Sequence, residues 1–422
     1  MDIKDLVIYR NLEHQELFRD IAHLMGYAQG GQEPDGASCG GRLAELAVKY
    51  GFEGNLWHCF LAFCLANNEN AYTTTCEITG PAGGSLDELA REDCRIFKVL
   101  FDYDIRNLEP SGLWALMENY KPARKDSRVF NRRVRNRIVN LAVQLEESAD
   151  AGQFQDHVVE FYREFGVGKF GLNKAFRIIE KEEGQPVIID PIINVEHINF
   201  KDIVGYELQK QKLIENTEAF VDGKEANNVL LFGDAGTGKS SSVKAVLNEY
   251  YGRGLRIIEV YKHQFKALSD VLEQIKDRNY KFIIYMDDLS FEDYELEYKY
   301  LKAILEGGLG KRPGNVLIYA TSNRRHLIRE KFSDKRELDD ELHNNDTVQE
   351  KLSLAARFGV TIYYGSPDKR QFETIVKALA ERHGLDMPEQ ELFAEANKWE
   401  LSHGGLSGRT AAQFITHLKA RR

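Results

Sequence analysis

Two rhythms of apolar residues divide the chain. Over the first 185 or so residues, apolar positions recur at helical spacing, as in Leu43 to Tyr50, Leu56 to Ala66 and Leu113 to Tyr120, which predicts a mostly α-helical N-terminal domain over 1–185. Gly26 to Gly41 is glycine-rich and reads as a loop, with a second loop expected around Gly80-Pro-Ala-Gly-Gly84. Residues 186–200 carry Pro186 and Pro191 around the extended Val187-Ile-Ile189, a composition that breaks helices and marks a linker. From Asn228 onward, short apolar runs alternate with helical stretches. Strands are predicted at Val229–Phe232, Leu255–Tyr261, Phe282–Met286, Val316–Thr321 and Val360–Tyr364, with helices near Ser241–Tyr251, Lys266–Asp277 and Tyr294–Glu306. Such alternation implies an α/β domain with a parallel sheet, over 201–366. After Pro367 the strands stop, and 367–422 reads as helical, with Phe372, Ile375, Val376 and Leu379 forming an apolar stripe.

Composition narrows the class. The 422 residues leave room for about two to four domains, and no run approaches the ~18 apolar residues of a membrane span. The N-terminal Met-Asp-Ile-Lys-Asp-Leu lacks the basic-then-apolar profile of a secretion signal, so a cytoplasmic protein with no membrane partner is expected. Cys39, Cys59, Cys64, Cys76 and Cys94 form no C-x-x-C pair. A zinc site from His58, Cys59 and Cys64 fits no metal template, and buried reduced thiols are the expectation. A formal charge of −10 argues against a surface coated for nucleic acid, though not against a local patch.

The densest chemistry lies in Gly233-Asp234-Ala235-Gly236-Thr237-Gly238-Lys239-Ser240, a full match to G-x-x-x-x-G-K-[ST] set between a predicted strand and a predicted helix. Its glycines let backbone N–H groups converge on phosphate oxygens at a helix N-terminus, which also carries the positive end of the helix dipole. Residues Gly233 to Ser241 are therefore the candidate nucleotide-binding set. Lys239 supplies a point charge for the β- and γ-phosphates and Ser240 a hydroxyl for Mg²⁺. The strand Phe282-Ile-Ile-Tyr-Met286 ends in Asp287 and Asp288, placed to hold Mg²⁺ through water and to polarise an attacking water respectively. The strand Val316–Thr321 leads into Ser322-Asn323, a polar tip within reach of the γ-phosphate. Arg357 precedes the last strand and Arg409 begins a late helix; either can neutralise charge on a transferred phosphoryl group.

In order and spacing, the P-loop, Asp287-Asp288, Asn323, Arg357 and Arg409 resemble the Walker A, Walker B, sensor 1, arginine finger and sensor 2 of AAA+ ATPases. Phe200-Lys-Asp-Ile-Val-Gly205 resembles the segment that approaches adenine in such proteins. More narrowly, the whole chain resembles an uncharacterised bacterial family of AAA+ proteins. That likeness rests on Asp287-Asp-Leu-Ser-Phe-Glu292, Thr321-Ser-Asn-Arg-Arg-His-Leu327 and Ser353-Leu-Ala-Ala-Arg-Phe-Gly359, and extends weakly to Tyr50–Trp57 and Glu69-Asn70. The resemblance implies a five-stranded parallel sheet of order 5-1-4-3-2, a helical lid, ATP and Mg²⁺ as ligands, and homo-oligomeric rings or arcs. Arg357 would then act in trans on a neighbour's nucleotide and Arg409 in cis. Two departures stand out. Asp288 holds a position that is usually glutamate, so hydrolysis is expected to be slow or helped by Glu292. In addition, Tyr261-Lys-His-Gln-Phe-Lys266 lacks the glycine of a threading pore loop, which favours a switch or loader over an unfoldase.

Outside that set, Lys121 to Arg137 holds eight basic residues (Lys121, Arg124, Lys125, Arg128, Arg132, Arg133, Arg135 and Arg137) against Asp126 alone. Phe130, Val134, Ile138 and Leu141 recur at helical spacing. A solvated basic helix face paired with nearby acids is the leading reading; nucleic-acid phosphates or an acidic protein partner are the others. Lys331 to Asp346 reads as a charged loop with a short helix, the alternative being an insertion that orders when nucleotide binds, and His326 reads equally as a helix-start surface residue or as a contact to a phosphate or a neighbour. Two functions fit these features: an ATP hydrolase that drives assembly or conformational change, and a nucleotide-gated module of little turnover that recruits a protein or DNA.

Overall fold

The computed structural model describes residues 2–29, 33–122, 131–180, 186–291, 297–306, 313–323 and 354–421. Glu292, His326 and the Lys331–Asp346 stretch lie outside these residues. So do Ala123–Phe130 of the basic segment. The chain divides into two compact units, Met1–Asn173 and Lys174–Arg422.

The first unit is helical. Its centre is the helix Leu56–Asn67, in which every residue from Leu56 to Ala66 is buried, so it is apolar all round rather than striped. Asn55 caps it by accepting N–H bonds from Trp57 and His58. Helices Gly84–Asp102, Arg132–Glu146 and Ala151–Phe165 pack with it, each turning one apolar face inward. The buried carboxylate of Asp93 accepts backbone N–H bonds from Val7, Ile8 and Tyr9 and so fastens the N-terminal segment to this core. The expected loop over Gly26–Gly41 is corrected in part, because the helix Gly36–Tyr50 starts inside it. Glycine is used there for close packing. A Cβ on Gly36 would lie 2.1 Å from the carbonyl oxygen of Glu109.

The second unit is built on a sheet of seven strands: β1 Ala175–Ile179, β2 Ile188–Pro191, β3 Val229–Gly233, β4 Leu255–Glu259, β5 Lys281–Met286, β6 Val316–Ser322 and β7 Val360–Tyr364. Their order is β2-β1-β4-β5-β6-β3-β7, and all pairs are parallel except β1 with β2. The expected count of five was therefore short by two, and the full order is longer than 5-1-4-3-2. The five strands β7-β3-β6-β5-β4 lie contiguous in that sheet. β1 and β2 fall where the sequence predicts the helical domain and the 186–200 linker. Pro191 is accommodated because β2 is an edge strand, where a missing N–H removes no ladder bond.

Alternate residues of the parallel strands, among them Val229 and Leu231, Ile283 and Tyr285, Leu317 and Tyr319, face one layer. That layer packs on Leu213 and Phe220 of helix Glu207–Val221 and on Val243, Val246 and Leu247 of helix Lys239–Tyr250. Three further helices, Lys369–Arg382, Glu389–Ser402 and Gly408–Arg421, share a separate core of Phe372, Ile375, Val376, Leu392, Phe414 and Ile415. No described helix is long and apolar enough to cross a membrane.

Candidate nucleotide site

β3 lies between β6 and β7, one strand in from the β7 edge, and its C-terminal end opens into the crevice outside the strand ends, where open α/β sheets bind ligands. The turn after it runs through Gly233, Gly236 and Gly238, all at positive φ, into the helix Lys239–Tyr250. Gly233 is required twice over, since a Cβ there would sit 2.1 Å from the Tyr364 carbonyl oxygen. Lys239 is only 6% exposed. Its Nζ donates to the carbonyls of Gly233 (2.8 Å) and Asp234 (2.6 Å) and to Oδ1 of Asn323 (3.0 Å). Burial lowers its pKa, against the pull of Asp234, Asp288 and Asp287.

The two carboxylates stand opposite. Met286 pairs with Ala320 in register, so the next residues, Asp287 and Thr321, leave neighbouring strands side by side. Oδ1 of Asp287 accepts from Ser240 Oγ (2.7 Å), Tyr285 OH (2.7 Å) and Thr321 Oγ1 (2.6 Å). Burial pushes the Asp287 carboxyl up, but the bonds from Thr321, Tyr285 and Ser240 together outweigh it and hold the group below the usual carboxylate range. Asp288 takes φ +50°, its N–H donates to Thr321 Oγ1 (2.9 Å), and its carboxylate accepts from Asn323 Nδ2 (2.7 Å). Lys239, Asn323 and Asp288 thus form one hydrogen-bonded chain.

A cavity of about 740 Å³ opens over this turn. It gathers Ala235 to Ser241, Asp287, Asp288, Asn323 and Arg409. Gly233 and Asp234 do not line it and face a neighbouring cavity with Asn323 and Tyr363. The Asp234 carboxylate accepts the N–H (2.7 Å) and hydroxyl (2.8 Å) of Ser366, and these bonds lower its pKa. Arg409 is brought in by its own N–H, which donates to the Gly236 carbonyl at 3.3 Å. Arg357 does not line the cavity. Its guanidinium pairs with Glu306, and its Nε is buried with no partner among the described residues.

Away from the phosphate loop the lining includes the apolar side chains of Ile198, Ile203, Val204, Tyr206, Ile375 and Leu379, beside Asp202 and Arg382. This end is suited to a flat base. Sequence reasoning marked parts of this lining, Phe200–Gly205 and the stripe with Ile375 and Leu379, without joining them, and it missed Arg382, which continues that stripe at helical spacing and reaches Asp202 and the Lys201 carbonyl. It also passed over the hydroxyls of Tyr285 and Thr321, which look like ordinary strand residues until the partner strand is known.

A hydroxyl and an ionised carboxylate meeting at Ser240 and Asp287 fit a hard cation. Among the described residues, no three His, Cys, Asp or Glu side chains gather to complete its shell. Such an ion would take its remaining oxygens from phosphates and water, which is the habit of Mg²⁺.

The basic segment reads differently from its composition. Arg135 pairs with Glu53 at 3.0 Å, and Arg137 donates to the Gly171 carbonyl while lying over the Phe165 ring. Both are committed within the first unit. All five cysteines are buried and unpaired, and burial pushes the Cys59 thiol up to about 12.

Residues 172–422 match a family described as proteins of unknown function (DUF815). The chain belongs to this family. The P-loop, the seven strands and the trailing helices all lie within the matched residues. The chain is 25% identical over 190 residues to proteasome-activating nucleotidase 1 of Haloferax volcanii, covering 38% of this chain and 46% of that protein. It is 35% identical over 81 residues to the replication factor C large subunit of Staphylothermus marinus, covering 19% and 18%. The chain thus spans less than half of either curated relative. Among solved structures it is similar to the RuvB Holliday junction branch migration motor of Thermotoga maritima (15% identity, TM-score 0.38, 54% of this chain and 65% of that one). It is also similar to PCH-2 of C. elegans (16%, 0.37, 53% and 65%). At such scores the likeness decides nothing about the site.

Proposed function

We propose that this protein binds Mg²⁺-ATP and hydrolyses it to drive assembly or a conformational change. The observation that carries the reading is the convergence of Lys239, Ser240, Asp287, Asp288 and Asn323 at the mouth of one cavity whose lining away from the phosphate loop is partly apolar. In this reading the P-loop amides and Lys239 hold the phosphates, and the Lys239 ammonium exchanges loop carbonyls for phosphate oxygens. Bound Mg²⁺ supplies charge neutralisation on the phosphates, with Ser240 and Asp287 as its protein contacts. Asp288 orients the attacking water. Asn323 links that carboxylate to Lys239, so γ-phosphate contact at the lysine is felt at the water. Arg409 acts on the same chain's nucleotide, and Arg357 acts in trans on that of a neighbouring subunit in a homo-oligomeric ring or arc. Lys239→Ala is expected to abolish binding of a fluorescent ATP analogue; unchanged affinity would sink the assignment.

One observation favours a second reading, a nucleotide-gated module of little turnover that recruits a protein or DNA. The Asp288 carboxylate is a methylene shorter than glutamate and is held by Asn323 at 2.7 Å. Single-turnover phosphate release on saturating ATP separates the two. Nucleotide bound without phosphate release supports the gated module.

A further inference from the structure

We infer that Thr321 and Tyr285 are positioning residues of this site, a hydroxyl clamp that sets how Asp287 meets the metal. The inference rests on the reading of Asp287 as the Mg²⁺ carboxylate and adds two residues to which the motifs assign no role.

A carboxylate's terminal torsion is broad, so one donor leaves it free to swing. Here three hydroxyls reach one oxygen, Oδ1, from three different elements: Ser240 from the start of the P-loop helix, Tyr285 from β5 and Thr321 from β6. Donors on separate elements triangulate the group, leaving Oδ2 as the oxygen without a hydroxyl partner to face the ion's water. Tyr285 is 5% exposed, in an otherwise apolar strand, so its hydroxyl has to find a partner inside the protein.

Thr321 does more than complete the set. Its one hydrogen goes to Asp287, while its oxygen accepts the Asp288 N–H at 2.9 Å and its carbonyl accepts the Leu289 N–H at 2.7 Å. These bonds hold Asp288 at φ +50°, in the left-handed region that few residues other than glycine, asparagine and aspartate enter. One side chain on β6 therefore sets both carboxylates, the metal one through its side chain and the water-orienting one through its backbone. Valine would preserve the shape of Thr321 and remove both hydroxyl functions.

The clamp predicts a selective loss. Partners that orient a metal's ligands influence metal affinity by about 10–100-fold, while the phosphate grip of Lys239 and the loop amides does not pass through them. The test is a titration of Mg²⁺ against binding of a fluorescent adenine nucleotide to the full chain, alongside the affinity in EDTA. For Thr321→Val, the Mg²⁺ concentration at half-saturation should rise about tenfold or more, with EDTA affinity within about twofold of wild type. Thr321→Ser should return it to within about threefold, and Tyr285→Phe should raise it about three- to fivefold. Tyr285→Phe and Thr321→Ser carry the test if Thr321→Val does not fold. Wild-type Mg²⁺ dependence in the folded variants overturns the clamp. So does an equal loss with and without Mg²⁺, which would mark general damage. If wild-type protein binds nucleotide independently of both Mg²⁺ and Lys239, the reading of the site itself fails instead.

Discussion

On the proposed reading, turnover depends on Asp288, and its geometry separates reach from binding. It touches Asn323 and the Thr321 hydroxyl, not the P-loop backbone. Asp288→Asn should therefore lower ATP turnover about 100-fold or more, the scale of a positioned general base, while leaving nucleotide affinity within about twofold of wild type. A parallel loss of affinity, measured by calorimetric titration, would make the residue structural. At this scale the sequence was informative wherever chemistry is announced by a run of residues. The glycine-lysine loop and the paired aspartates after an apolar strand are of that kind. Tyr285, Thr321 and Arg382 were illegible for the opposite reason. Thr321 and Arg382 act on partners 34 and 180 residues away, and Tyr285 is one hydroxyl in an apolar run that meets Asp287 together with Thr321 and Ser240 only once the strands are paired.

Elements meet at the P-loop with little tolerance. β3 runs so close to β7 that a methyl on Gly233 would press on the Tyr364 carbonyl, and φ +133° is closed to other residues. Gly233→Ala should cost about 3 kcal/mol or more and show as a large drop in melting temperature. The same turn is tied to the start of the trailing helices by the Asp234–Ser366 bonds. The folded pKa of Asp234 is lowered, so this tie contributes stability above the ordinary carboxylate pKa of about 3.9 and loses it as pH falls through the lower, folded value. The melting temperature of Asp234→Asn should lie below wild type at neutral pH, with the gap closing only below about pH 4. A gap unchanged at pH 3 would show that the carboxylate charge is not what matters. Element types were readable from period alone across β3 to β7. The edge pair β1–β2 was not, because prolines flanking a short apolar run look the same in a linker and in an edge strand.

For the molecule as a whole, two compact units imply two cooperative transitions. A ligand held only by the second unit raises that unit's stability by about 2.7 kcal/mol at a hundredfold excess over Kd. Calorimetry of the full chain should show one of two transitions move with Mg²⁺-ATP while the other stays. If both move together, the units are energetically coupled. Assembly is tested by Arg357, which pairs with Glu306 outside its own chain's cavity. If it acts in trans, mixing Arg357→Ala with Asp288→Asn protein should recover turnover that neither shows alone, and light scattering with a slowly hydrolysed ATP analogue should show the oligomer. No recovery in mixed oligomers would remove Arg357 from the catalytic set.

By itself the sequence determined the helical first unit, the parallel strands, the phosphate loop and the carboxylates at a strand tip. All of these are written in residue type and period, which local sterics and burial translate directly into structure. Only the tertiary structure decided which strands stand beside one another. With that came the two edge strands, the apolar lining away from the phosphate loop, the commitment of Arg135 and Arg137 within the first unit, and the three hydroxyls on Asp287. Those facts depend on pairing between distant segments, and a one-dimensional pattern carries the face a residue turns inward but not the neighbour it meets there.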